Sequence, residues 1–390
     1  MSRFVQLHVL THYPPSNLNR DDTGRPKTAL VGDALRLRIS SQSQKRAWRT
    51  SDVFETALAG HIGTRTKELG PELYKAMTAA GTSDKDARAW ARAIAEKFGK
   101  LKADKKADKA EKSDKADKAD KADKAEKAGK GEKAADKAEV SYTDLQIEQL
   151  AHISPQEWEA AMALARACAE RKSAPQAEEM SLLTQPRTAV DIAMFGRMLA
   201  DAPQFNVEAA IQVSHAFTVH KAQVEDDFFS AVDDINPRGA GHIDERGYGA
   251  GLYYLYVCID RELLKANLGG DEALAAKGLA ALIEAITKVS PTGMQNSFAS
   301  RAYAGYVLAE KGSQQPRSLS QAFVDPVRPG PGGDDDGSGG GGMVAAARRA
   351  LQKRQEGFDR VYGACADARY ELDVEAPQGT LSELIAFVQG

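Results

Sequence analysis

RLRISSQSQKRAWR, residues Arg36–Arg49, packs five basic residues into fourteen positions of a 390-residue chain whose formal net charge is −3. Read as a strand, RLRISS sets Leu37 and Ile39 on one face and Arg36, Arg38 and Ser40 on the other. The period then changes. SQSQKRAWRTSDVFETAL carries an apolar stripe at Ala47, Trp48, Ser51, Phe54 and Leu58, opposite a polar face of Gln42, Lys45, Arg46 and Arg49. The spacing predicts one helix with Ser41 as its N-cap. A strand with two arginines would thus run into a helix start, whose unpaired N–H groups and dipole attract anions. Arginine forks and lysine ammonium groups neutralise phosphates, and Ser and Gln bond phosphate, sugar or base edges. Acids are scarce here, only Asp33, Asp52 and Glu55 between Val31 and Glu55, so the corner reads as a phosphate clamp.

Working outward, Val5, Leu7 and Val9 alternate with Gln6 and His8, the pattern of a half-buried strand. YPPSNLNRDDTGRPK is a loop. Helical patterns dominate from the corner to about Glu170, broken by a Lys/Ala/Asp/Glu arm at 100–139 that has no apolar face and reads as solvated. Val207–His220 reads as a helix. Phe228–Ile235 and Leu252–Ile259 read as strand ends flanking a glycine-rich middle, hence a long hairpin whose glycines let it bend. LYYLYV is bulky on both faces and reads as a core strand. A helix near Asp271–Lys288, the loop and strand SPTGMQNSFASRAYAGYVLAE, a glycine-rich flexible linker at 326–342 and a charged helix complete the chain.

At 42% hydrophobic and 27% charged, the composition is that of a globular protein. No apolar run is long enough to span a bilayer, and MSRFVQLHVLTHYPP lacks the apolar core of a secretory signal, so a cytoplasmic location with no membrane partner is expected. The three cysteines show no metal-ligand spacing, and no cofactor or metal is expected.

The pair HVLTHYPPSNLNRDD and RLRISSQSQKRAWR, with VDIAMFGRM and AVDDINPRGAGHI further on, resembles the CasC family. These are the Cas-seven-type backbone subunits of Cascade, the type I-E CRISPR surveillance complex. The resemblance covers most of the chain but neither the arm nor the linker. It implies an α+β fold: an RRM-like (ferredoxin-like) palm, an inserted helical fingers subdomain and a protruding β-hairpin thumb. The corresponding spans are palm at 1–60, 186–225 and 252–390, fingers at 61–185, and thumb at 226–251. The implied partners are CRISPR RNA, other copies of the chain, other Cascade subunits, and target DNA through the guide. By motif, Arg20, Lys27, Ser40, Gln42, Lys45, Arg46 and Arg49 are guide-RNA contacts, Met198 packs beside bases, and Phe229 and Ser230 lie at the thumb base. His242 and Ile243 are its wedge, in keeping with apolar and stacking side chains that part bases.

No P-loop, HExxH or GxSxG motif is present, and no enzymatic activity is expected. The enzymatic alternative is a target-RNA endoribonuclease of the related type III kind using Asp22, with His8, His12 and Asp21 nearby in sequence. The simpler reading is that Asp21 and Asp22 pair with Arg20, Arg25 or Arg46 and shape the loop. A histone-like DNA binder driven by the arm is disfavoured by its small lysine excess.

Overall fold

The computed structural model describes residues 2–102, 142–232, 234–235, 240–328 and 342–390. Most of the arm and of the linker lies outside the described residues. In chain order the elements are β1 (Phe4–Ser16), β2 (Thr28–Val31), β3 (Ala34–Ile39), α1 (Ser41–Arg49), α2 (Asp52–Ala57), β4 (Thr64–Thr66), α3 (Leu69–Ala79), α4 (Asp84–Ala95), β5 (Ala151–Ile153), α5 (Pro155–Arg171), α6 (Val190–Phe195), β6 (Ile211–Val213), β7 (Ala216–Thr218), β8 (Glu225–Val232), β9 (Ala240–Asp260), α7 (Arg261–Asn267), α8 (Glu272–Lys288), α9 (Gln295–Phe298), β10 (Tyr306–Gly312), α10 (Met343–Tyr362), β11 (Ala368–Asp373) and α11 (Leu381–Gln389).

Two compact units result: Met1–Ile62 with Arg187–Gly196 and Glu208–Gly390, and Gly63–Pro186 with Arg197–Val207. The first is built on an antiparallel sheet of order β11-β10-β1-β9-β7-β3-β2, with β6 and β8 also pairing with β9. One sheet face carries Val5, Leu7, Val9, Leu37, Ile39, Leu255 and Val257 and packs on Trp48, Phe54, Leu58 and the apolar side of α8. The other carries Leu10, Leu252, Tyr254, Tyr306 and Leu308 beneath Phe323 and residues Ala347 and Leu351 of α10. The second unit has its own core, in which Leu69, Leu73, Met77, Ile94 and Leu145 meet Ala161, Ala165 and Cys168 of α5. A capping box, Ser154 with Glu157, starts α5.

Both sheet faces are covered, which changes the reading of β1. It is buried on both sides rather than half-buried, and its polar residues are satisfied internally. Gln6 Oε1 accepts from the Tyr256 hydroxyl at 2.8 Å and from the Arg317 N–H at 2.8 Å. His8, fully buried, sits 2.9 Å from the Tyr254 hydroxyl and 3.2 Å from Glu310. Burial holds the imidazole below its usual value, so it is neutral, with Nδ1 accepting from Tyr254 and Nε2 donating to Glu310. Burial pushes Glu310 up, but hydrogen bonds from His8 and Arg317 outweigh it and hold the carboxyl well below the usual range. LYYLYV is a core strand as expected, with Leu252, Tyr253, Tyr254, Leu255 and Val257 all buried.

Val207–His220 is not a helix. It forms β6 and β7, which pair with β9, and β7 also pairs with β3. The apolar alternation of Ile211 and Val213 suits sheet edges on offer, and pairing overrides helix propensity. The glycines after Ala240 in the expected hairpin belong to a strand. β9 is one continuous strand of 21 residues, whose first part pairs with β8 and whose second part runs between β1 and β7. Gly249 serves close packing there: a Cβ would stand 2.7 Å from Leu37 Cδ1. The C-terminal side of the expected linker starts α10 at Met343, and its N-terminal side is anchored, Val327 N–H donating to the Val219 carbonyl at 2.9 Å.

Candidate nucleic-acid interface

The β3–α1 corner forms where expected, with two corrections. Ser40, not Ser41, is the N-cap, and its hydroxyl accepts the Ser43 N–H at 3.3 Å. The single expected helix breaks at Thr50 and Ser51. The Ser51 hydroxyl donates to the Trp48 carbonyl at 2.7 Å and accepts the Phe54 N–H at 3.3 Å, ending α1 and capping α2 at once. Trp48 and Phe54 still anchor both pieces in the core.

The cations of the stretch divide into three kinds. Arg36 is fully buried and donates to the carbonyls of Thr218 at 2.9 Å, Phe323 at 3.1 Å and Val324 at 3.2 Å. Lys45 and Arg49 are half-buried and turn toward α6. The Lys45 ammonium lies 5.7 Å from the Phe195 ring centroid, and burial lowers its pKa. Arg49 stands 3.3 Å from the buried carboxylate of Asp191. Arg46 and Gln42 are exposed. The polar helix face is therefore not one surface: Arg46 looks one way, Lys45 and Arg49 another.

Arg46 looks into a groove of about 1030 Å³, which Arg20, Asp22, Ser43, Arg301 and Tyr303 also line. Three segments meet there: the β1–β2 loop, the α1–α2 junction, and the chain from Lys288 to Tyr303. Asn19 Oδ1 accepts the Ser40 N–H at 2.9 Å, tying loop to corner. Gly293 lies so close to the loop that a Cβ would stand 2.3 Å from the Leu18 carbonyl oxygen. Arg20, Arg46 and Arg301 are exposed and make no ion pair among the described residues, whereas Lys288 is held by Glu284 at 2.7 Å.

The acids of this loop behave differently from the pairing expected of them. Asp21 Oδ1 accepts from the Thr23 hydroxyl at 2.8 Å and from the Thr23 and Arg25 N–H groups at 2.9 and 3.0 Å. These bonds, the Thr23 hydroxyl first, hold its carboxyl below its ordinary value, so Asp21 shapes the turn through main-chain and Thr23 donors rather than an arginine side chain. Asp22 points into the groove with no hydrogen bond or ion pair among the described residues. His8, a candidate base in the nuclease reading, is sealed inside the sheet.

Lys27 belongs to a second cationic strip. Arg38 bonds His215 Nδ1 at 2.6 Å, and burial, then the charges of Arg38 and Lys27, hold that imidazole below its usual value. The hairpin base adjoins both regions. Asn17 donates to the carbonyls of Gly24 and Gly247, each at 2.9 Å, Arg25 pairs with Asp226 at 2.9 Å, and Tyr248 packs 5.8 Å from Phe298. Phe229 lies under the Arg246 guanidinium at 4.3 Å; Ser230 is exposed and pairs in register with Ile243, itself 59% exposed. His242 pairs with Ala231 along the backbone, and its side chain lies outside what is described. Met198 belongs to the second unit, where it is 79% exposed beside Lys100 and Leu150. Sequence reasoning left out Arg301 and Tyr303; the only signal was the glycine of SPTGMQNSFAS, which is what brings that loop against Leu18.

The fold and groove define an antiparallel α/β protein with a long hairpin rising beside an arginine-lined channel. Residues 5–385 match the CT1975-like protein family, and the chain belongs to that family. Among solved structures it is similar, at 27% identity and TM-score 0.74 over 99% of each chain, to a chain of a "CRISPR RNA-guided surveillance complex, pre-nicking". It shares the fold of a chain of a "CRISPR RNA-guided surveillance complex" at 23% identity and TM-score 0.64, over 98% of this chain and 99% of that one. No curated protein matches the sequence. The expectation raised by the opening motifs, a Cas-seven-type backbone subunit, is met. Among the described residues no helix is long and apolar enough to cross a membrane.

Proposed function

We propose that this protein is the guide-RNA-binding backbone subunit of a type I-E CRISPR surveillance complex. Copies polymerise along one CRISPR RNA, in company with the other Cascade subunits in the cytoplasm, and present it for pairing with target DNA. The large sheet is the palm, the β8–β9 hairpin the thumb and the second unit the fingers. The observation that carries this reading is the groove in which Arg20, Arg46 and Arg301 converge without carboxylate partners, beside the hairpin base. Three guanidinium groups along one channel suit successive phosphates of an extended strand. Phe229, Ser230 and Ile243 lie where a crossing hairpin would meet bases, and the exposed Ile243 is the kind of wedge that parts a stack. The role is positioning, without catalysis.

The test is binding of labelled RNA in the presence of Mg²⁺. A ladder of complexes over intact RNA, weakened in an Arg46→Ala, Arg301→Ala variant, supports the scaffold. Binding that ignores both substitutions refutes the groove as the guide path. A second reading, a ribonuclease using Asp22, draws on that carboxylate standing unpaired in the groove. It predicts cut RNA that disappears in Asp22→Asn.

A further inference from the structure

A further cationic surface of the first unit lies on α10, which covers the sheet face opposite α1 and α8. Ala347, Leu351 and Phe358 point inward from this helix. Arg349, Lys353 and Arg360 fall together on the outward side and are exposed, as is Arg354 on the Phe358 side of the helix. An ordinary solvated helix offsets such charges with neighbours three or four residues away, as Glu72–Lys75 and Glu284–Lys288 do at 2.7 Å. On α10 none of the four makes an ion pair among the described residues. The inward cation, Arg348, is the one that is paired, with Asp373. A single acid, Glu356, stands among the outward cations and accepts from Gln352 at 3.2 Å.

A further feature shares this side. Gly357 occupies the helix interior beside Lys353 and Arg360, with no atom within 4 Å of where a Cβ would stand. Neither packing nor a positive φ calls for glycine there, and glycine weakens a helix relative to alanine. What it provides is a bare stretch of backbone between two cations.

We infer that the outer face of α10 binds single-stranded nucleic acid, its phosphates on Arg349, Lys353 and Arg360 and its backbone passing over Gly357. From Arg349 to Arg360 the helix rises about 16 Å, the length of roughly five nucleotides of one strand. A strand lying in the Arg46 groove is on the other side of the sheet, so this is a separate strand. Its source rests on the function proposed above: when a guide pairs with one strand of a duplex, the other is released as a free polyanion.

The experiment uses the full chain and a labelled oligo(dT) of about 15 nucleotides, within the usual site size of single-strand binders, titrated across salt concentrations. The Arg349→Ala, Lys353→Ala, Arg360→Ala variant should weaken binding by tenfold or more and flatten the log–log salt slope by roughly 2, three contacts at about 0.7 each. Its affinity for guide RNA, measured separately, should still depend on Arg46 and Arg301. Should that dependence be missing, the guide reading fails while the α10 result stands on its own. Glu356→Gln removes the one opposing charge and should tighten oligo(dT) binding, a gain that misfolding cannot produce. An unchanged slope in the triple variant, or weaker binding in Glu356→Gln, overturns the site. Equal affinity for a duplex of the same length overturns the single-strand assignment.

Discussion

Arg36 and Arg46 lie ten positions apart in one basic stretch, and the fold uses them for opposite ends. Arg36 is enclosed between β3, β7 and the turn at Phe323, all its close partners main-chain carbonyls. Arg46 extends from α1 into an open groove with no ion-pair partner among the described residues. The first joins elements of the fold; the second is left for something else. Charge in a sequence therefore says little until burial assigns it, because a guanidinium has five donors and can saturate backbone as readily as phosphate.

The contrast can be broken from either side. The largest effect is expected at Arg36: Arg36→Ala strands two buried carbonyls and the part-buried one of Val324 and should destabilise by about 3 kcal/mol, read as a lower urea midpoint at unchanged m-value. Next is Gly249→Ala, which forces a methyl against Leu37 in the strand that carries Arg36. About 1–3 kcal/mol of overpacking is expected from the same unfolding curve. His8 gives a pH signature. Its folded-state pKa and that of Glu310 are both depressed, so each contributes stability above its unfolded value that is lost on acidification. The urea midpoint should be level near pH 7 and fall below about pH 6.5, with a slope of at most about 1.4 kcal/mol per pH unit from His8, and fall again below about pH 4.3. His8→Gln should flatten the first segment; a slope unaltered by that change would remove His8 from the account. The smallest effect on stability belongs to Arg46→Ala with Arg301→Ala, within about 0.5 kcal/mol, although the salt slope of RNA binding should flatten by roughly 1.4. A variant that binds RNA normally but unfolds early would erase the distinction between the two arginines.

Much of the corner was legible in advance. Trp48 and Phe54 at helical spacing fix which side of the stretch is core, and alternation in β1 and β3 fixes the strands. The misreadings share a cause. Val207–His220 looks helical alone and becomes two strands because β9 and β3 offer edges to pair with. The glycines of RGYGAG read as letting a hairpin bend, yet Gly249 answers to Leu37, more than two hundred residues earlier. Arg301 was missed because it reaches the groove only through the approach of Gly293 to Leu18, a contact with no local trace. The split of Gln42, Lys45, Arg46 and Arg49 depends on Asp191 and Phe195 in α6. In each case the deciding partner is distant in the chain.

Because β9 is a single strand, the hairpin takes its phase from the interior. Tyr253, Leu255 and Val257 choose their sheet face by burial, and strand alternation carries that choice, about 3.3 Å per residue, out to Ile243 and Asp244. The sheet thus acts as a keyed shaft for the projecting ribbon. Removing one residue between Gly249 and Leu252 would turn the ribbon over, side chains and hydrogen-bonding edges together, so that its two sides exchange what they meet.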